Sequence, residues 1–285
     1  TLQAVRRLKP HYQFELVVVP PSLPRTKPKA CNYALRFARG EFVTIFDADD
    51  IPAPDQLRKA VAHFRRSAPN VICLQGRLNY YNSHDNWLTR CFSLEYGMLF
   101  HVMLYGLQRM NIPILLGGTS NHIALDKLRE LGEWDPYNVT EDADLGARLA
   151  QLGYRTEMLD SDTLEEAPNT LKAWLSQRTR WIKGYMQTWC VHMRNPIALW
   201  RGFGLGGFIG FQCFVALASF SYLTAPLVWL AALGWFSNPG IVMPDWLFTV
   251  AIINLMMNIL VHIAIAFDAA MMYEKRRISL ILSAF

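Results

Sequence analysis

Residues 42–50 read FVTIFDADD, and the fold class turns on them. Phe42, Val43, Ile45 and Phe46 are aromatic or β-branched, with little polar interruption. That composition suits a strand covered on both faces within a parallel sheet. The run then stops at three carboxylates, Asp47, Asp49 and Asp50. In open α/β sheets, ligands bind beyond the carboxyl ends of the strands. Asp47 and Asp49 are two apart, so an extended backbone points both the same way. Two oxygens converging there suit a hard divalent cation, Mg2+ or Mn2+, that also holds a diphosphate. The plainer alternative is that these acids only cap the next helix.

Outward from this stretch, helix and strand alternate. Residues 20–29, PPSLPRTKPK, are a Pro-rich basic loop, and residues 30–39 are expected to form a helix stopped by Gly40. Residues 54–66 carry Leu57, Ala60, Val61 and Phe64 on one helical face. Residues 71–78 read as another strand, so the alternation predicts a parallel α/β sheet. Upstream, residues 2–8 read as the end of an amphipathic helix and residues 14–19 as a strand. A complete nucleotide-binding sheet needs an earlier strand still, so the chain is expected to begin inside a domain.

Downstream, residues 87–110 are apolar and rich in Met and aromatics, as in a core helix, a surface helix against membrane or part of an acceptor groove. Gly117, Gly118, Thr119, Ser120 and Asn121 form a tight segment where a sugar can approach bare backbone. Thr140, Glu141 and Asp142 open a helix predicted over 143–152. They are either a cap with acids favoured by the helix dipole, or a general base poised at a helix start. Residues 170–189 form a helix carrying QRTRW. Gln177, Arg180 and Trp181 fall at i, i+3 and i+4 and share a face. Arg suits a phosphate and Trp suits the apolar face of a sugar. The same helix also reads as amphipathic and membrane-surface, anchored by Trp174, Trp181 and Trp189.

The chain has 285 residues, 52% hydrophobic and 18% charged, with formal net charge +5. After Arg201, Asp245 and Asp268 are the only charged residues before Glu274. This shift divides the chain into a domain over 1–195 and a membrane region over 196–285. Spans are expected at about 206–236, kinked near Pro226, and about 246–267. The loop between them lacks Lys and Arg, while Lys275, Arg276 and Arg277 follow the second span. The positive-inside rule then puts the first domain on the cytosolic side. Asn254, Asn258 and His262 line one face of the second span, as helix glue or as the wall of a glycan passage. The five cysteines lack C-x-x-C pairing and read as reduced thiols. The basic excess is too small and diffuse for nucleic acid.

DAD, TED, QxxRW and then apolar helices, in that order, resemble the processive family 2 glycosyltransferases, such as cellulose and hyaluronan synthases. GGTSNH, WDPYNVTEDADLG and EEAP look most like bacterial exopolysaccharide synthases. The resemblance implies a GT-A domain, incomplete at its N-terminus, followed by transmembrane helices of the bacterial inner membrane. It implies a divalent metal on Asp47 and Asp49, and Asp142 as general base beside Glu141. It also implies donor and acceptor contacts from Gln177, Arg180 and Trp181, and donor contacts from Lys29 and Asn32. It makes UDP-glucose, the commonest donor among such enzymes, the expected donor. A growing β-linked glycan is the expected acceptor, with membrane lipids and an export partner around it.

Three rivals stay open at this stage. One is an enzyme adding a single sugar to a lipid. Another is a non-catalytic membrane scaffold. The third is a phosphatase of haloacid dehalogenase type, whose D-x-D-x-T is not matched here because Ile51 follows Asp50.

Overall fold

A computed structural model describes residues 15–237 and 244–273. The helix expected over 2–8, the basic cluster 274–277 and the apolar segment 278–285 lie outside the described residues. Residues 15–20, in the expected first strand, take no regular structure. Val17, Val18 and Val19 favour extended backbone, but none of the five sheet strands pairs with them.

In chain order the elements are α1 (Lys27–Leu35), β1 (Phe42–Ile45), β2 (Ile51–Pro52), α2 (Gln56–Phe64) and β3 (Val71–Tyr80). Next comes α3 (Trp87–Tyr96), which runs through a π-helical segment (Gly97–Met103) into α4 (Leu104–Arg109). Then come β4 (Asn121–Ala124), α5 (Leu125–Glu130), α6 (Glu141–Gln151), β5 (Arg155–Glu165) and α7 (Leu171–His192). The last are α8 (Pro196–Phe211), a second π segment (Gln212–Leu217), α9 (Ala218–Ser237) and α10 (Asp245–Tyr273).

The strand order is β1-β4-β3-β5-β2. Only β3 and β5 run parallel; β1–β4, β4–β3 and β5–β2 are antiparallel. The expected all-parallel sheet is therefore corrected to a mixed one. The cause is β4, whose Asn121 and His122 enter between β1 and β3 from the opposite direction. Among the described residues β1 pairs with β4 alone. Phe42 stacks on Phe64 of α2 at 4.4 Å, while Val43 and Ile45 pack with Ile72, Ile123 and Leu35 on the other face.

A buried polar network locks these strands together. The Gln56 amide donates to Ser120 Oγ at 2.6 Å, and Thr163 Oγ1 donates back to Gln56 Oε1 at 3.0 Å. His122 meets Gln56 Nε2 at 3.1 Å and Thr44 Oγ1 at 2.7 Å. Burial pushes the His122 imidazole down to about 4, so at neutral pH it is uncharged and can accept. Ser120 holds a positive φ of 58°, a left-handed conformation that this network and the Ser120 N–H to Ile45 bond maintain. Gly76 lies against the same cluster. A Cβ there would stand 2.3 Å from Ser120 Oγ and 2.9 Å from Gln56 Nε2.

Asp144 joins α6 to α7. It is buried, accepts from Arg148 Nε at 2.8 Å and meets His192 Nε2 at 3.0 Å. Arg148 also grips the carbonyls of Leu131 and Glu133. Burial alone would raise the Asp144 carboxyl. The His192 bond and the Arg148 charge outweigh it and hold the group below its ordinary value.

Beyond α7, α8 kinks at Gly204, whose φ of 67° only glycine takes readily. Among the described residues no single helix is long and apolar enough to cross a membrane. The pair Pro196–Leu217 and Ser219–Leu227, bent by 45°, meets that test by length and composition. Trp200, Leu205, Ile209, Leu227, Trp229, Leu230, Val250 and Leu260 are exposed along this region.

Gly76→Ala is expected to cost about 1–3 kcal/mol, since Ser120 and Gln56 must abandon buried hydrogen bonds to admit the methyl; urea denaturation checks it. Asp144→Asn is expected to cost about 3–5 kcal/mol at pH 7, by leaving Arg148 and His192 facing a neutral group. A carboxyl depressed by folding stabilises above its unfolded pKa and stops doing so as pH falls through its folded one. The gap between wild type and variant should therefore close as the medium is acidified below pH ~4, which thermal melts across pH will read.

Candidate active site

A cavity of about 620 Å³ opens where β1 and β5 end. Its wall joins Lys27 and Asp47 to the start of α6 and to one face of α7.

The three aspartates after β1 divide their work. The Asp50 N–H bonds the Asp47 carbonyl at 3.2 Å, so the backbone turns here. The extended backbone expected from Asp47 to Asp49 is corrected to a turn. Asp50 staples the turn: its Oδ2 accepts from the Asp47 N–H at 2.6 Å and from the Thr119 hydroxyl. Burial outweighs those bonds and raises the Asp50 carboxyl. Asp47 faces the cavity, and Asp49 is exposed on the same turn. Lys27 reaches Asp47 Oδ1 at 2.5 Å and the Gly118 carbonyl at 2.8 Å. Burial opposes the Lys27 charge, but Asp47 prevails and raises its pKa.

Among the described residues no group of three or more His, Cys, Asp or Glu side chains is arranged to hold a metal alone. Asp47 and Asp49 nonetheless offer hard carboxylate oxygens. Mg2+ is commonly held by one or two carboxylates together with substrate phosphates. The donor set fits an ion that arrives with a diphosphate.

The second wall is the start of α6. Thr140 occupies the N-cap position, but its hydroxyl makes no capping bond. That hydroxyl instead lies 3.3 Å from Thr188 Oγ1 on α7. Asn138 ties the same corner, donating to Thr188 at 2.9 Å and accepting from the Thr140 N–H at 3.1 Å. Gly184 makes this contact close: a Cβ there would fall 2.4 Å from Thr140 Cγ2. Asp142 Oδ1 accepts from the Ala143 N–H at 2.7 Å, and Oδ2 lies against Gly118. Burial pushes the Asp142 carboxyl up to about 7, with the Glu141 charge adding to it. Burial also raises Glu141. An Asp poised near neutrality in a cavity has the protonation range of a general base.

The third wall is α7. Gln177, Arg180 and Trp181 all line the cavity. The Gln177 Oε1 is buried without a hydrogen-bond partner. Trp181 stacks beside Phe92 at 6.0 Å and Tyr96 at 6.3 Å. Sequence reasoning passed over Arg178, which bonds Glu95 through both guanidinium nitrogens and lies 4.5 Å above the Phe92 ring. It also passed over Tyr185, whose hydroxyl burial and then the Asp142 charge push up. Tyr185 is four residues after Trp181, so the same helical spacing points to it.

Two expected donor contacts lie elsewhere. Lys29 bonds Ser22, through the carbonyl at 2.5 Å and the hydroxyl, and does not line the cavity. Lys27, two residues earlier, is the lysine at Asp47. Asn32 clamps Trp134, donating to its carbonyl at 2.7 Å and accepting from its N–H at 3.1 Å. Both halves of its amide are thus spent inside the protein.

The chain is similar to the probable glycosyltransferase YdaM of Bacillus subtilis (strain 168). Identity is 28% over 187 residues, covering 63% of this chain and 43% of that protein. The chain thus spans less than half the length of that relative. It shares its fold with the mannosyltransferase PcManGT from Pyrobaculum calidifontis, solved in complex with GDP-Man and Mn2+. The TM-score is 0.58 at 23% identity, over 96% of this chain and 75% of that one. A family model described as glycosyl transferase family group 2 matches residues 42–266, most of the chain and every wall of the cavity except Lys27 and its neighbours. The chain belongs to that family and has a mixed α/β fold of GT-A type.

Proposed function

We propose that this protein transfers a sugar from a nucleotide-diphosphate donor, with inversion, to the end of a growing β-linked glycan at the bacterial inner membrane. The observation that carries the reading is the position of Asp142. Its buried carboxyl shares one cavity with Lys27 and Asp47 on one side and with Arg180 and Trp181 on the other.

The charges assign the ends. A donor diphosphate is met by Lys27 and Arg180, and a divalent cation on Asp47 and Asp49 would neutralise it as it leaves. Trp181 offers an aromatic face to the acceptor sugar. Asp142 takes the proton of the acceptor hydroxyl as that oxygen bonds the anomeric carbon. The carbon–phosphate-oxygen bond breaks, and its electron pair departs with the diphosphate. One displacement inverts the centre without a second carboxylate nucleophile. The exposed apolar residues of α8, α9 and α10 support a membrane setting. UDP-glucose remains the first donor to try.

One observation favours a second reading. The cavity that holds Asp142 is also lined by Phe100, Leu104, Leu107, Phe211 and Phe214. A lipid-tailed acceptor receiving one sugar would fill it. The test supplies labelled nucleotide-sugars to membranes holding the full chain and follows label by size. Metal-dependent label in high-molecular-weight product supports the glycan synthase, and label confined to lipid supports single addition.

Asp142→Asn is expected to lower transfer ~10²–10⁴-fold while donor affinity holds, as read by turnover beside equilibrium binding. The wild-type rate should rise with pH through about 7, as Asp142 loses its proton, and the Asn variant should lose that dependence. Raising a carboxyl's pKa by folding costs stability once pH exceeds the unfolded value. The same variant should therefore melt higher than wild type at pH ~8, which also verifies that it is folded.

A further inference from the structure

Glu165 ends β5 with its backbone fixed and its side chain unspent. Its carbonyl accepts from the Tyr81 N–H at 3.1 Å, and it stands in register with Tyr80. The next residue, Glu166, turns outward to the Tyr81 hydroxyl at 3.2 Å. The Glu165 carboxyl lines the cavity, and its Oε1 is buried without a hydrogen-bond partner. Burial pushes this group up to about 8, with Asp50, Asp47 and Asp49 adding to it. On its other side the Glu165 charge is felt by Tyr80 and Tyr96, and Tyr96 stacks beside Trp181. Glu165 thus shares one cavity with Asp47 and with Trp181.

Gln177 Oε1 is in the same condition in the same wall. Leaving a buried acceptor unpaired costs about 1–3 kcal/mol, and native structures rarely carry such atoms without cause. Two of them facing one cavity call for a ligand that brings hydroxyl donors. On the nucleotide-sugar reading, on which this inference rests, the group between the diphosphate and the acceptor is the transferred sugar.

We propose that Glu165 is a specificity-determining residue, accepting a hydrogen bond from one ring hydroxyl of the sugar being transferred. Gln177 supports the same ring from α7. A site built to bond a hydroxyl rejects a donor lacking it, because the buried oxygen is left unpaired.

The test uses the full chain in membranes, its working nucleotide-sugar, and a set of the same donor lacking one ring hydroxyl at a time. Wild type is expected to lose at least ~10-fold in kcat/KM on one deoxy donor. Glu165→Ala should lose a similar factor on the parent donor and nothing further on that deoxy donor. Inhibition by free nucleoside diphosphate and the Mn2+ concentration for half-maximal rate should not move. Equal further loss on every deoxy donor, or a fall in melting temperature shared by Glu165→Gln, would overturn the assignment in favour of a structural role. A shifted Mn2+ requirement would overturn it in favour of a cation ligand. If wild type transfers from no nucleotide-sugar at all, the parent reading fails, and this one with it.

Discussion

The Asp144 carboxylate is the constraint on which the cleft depends. It is bonded from its own helix by Arg148 and from the end of α7 by His192. Those bonds set how α6 and α7 lie together. The same packing brings Thr140 against Gly184, so the two helices touch beside the cavity as well. Asp142 and the Gln177–Trp181 face are therefore held across one cleft by contacts that take no part in chemistry. Positioning within fractions of an ångström is what such supporting contacts supply to a reacting centre.

Asp142 and Asp144 also show how surroundings assign roles. Both are acids of one helix, two residues apart, and both are removed from water. Asp144 is compensated by a guanidinium and an imidazole and stays ionised. Asp142 has one N–H and a neighbouring carboxylate, so burial dominates and its proton is held to about 7. The two environments push these carboxyls apart, leaving one structural anion and one group that titrates near neutrality.

Much of the site was legible because it is local. Gln177, Arg180 and Trp181 share a face by helical spacing alone, and the cavity wall contains all three. The stop in hydrophobicity at Asp47 marks a strand end in any sheet. What escaped was non-local. The antiparallel entry of β4 depends on a pairing between residues about eighty apart. Nothing in KPK distinguishes Lys27 from Lys29; the choice is made by where α1 points each ammonium. Glu165 was visible only as part of EEAP, and its open oxygen appears only when β5 is set beside the aspartate turn. The apolar C-terminal part is a further case, since composition marks its apolar content but not how α8 bends at Gly204.

The pairing of Lys27 with Asp47 has a consequence for how the cleft meets its ligands. Unmasked, a turn carrying three aspartates with Glu141, Asp142 and Glu165 nearby would repel an anionic donor and gather stray cations. The ammonium on Asp47 cancels part of that field. On the proposed reading, Asp47 would hold a cation, and the Lys27 ammonium would then be free to meet the donor phosphates. The cleft thereby carries its own counter-ion in the Lys27–Asp47 pair.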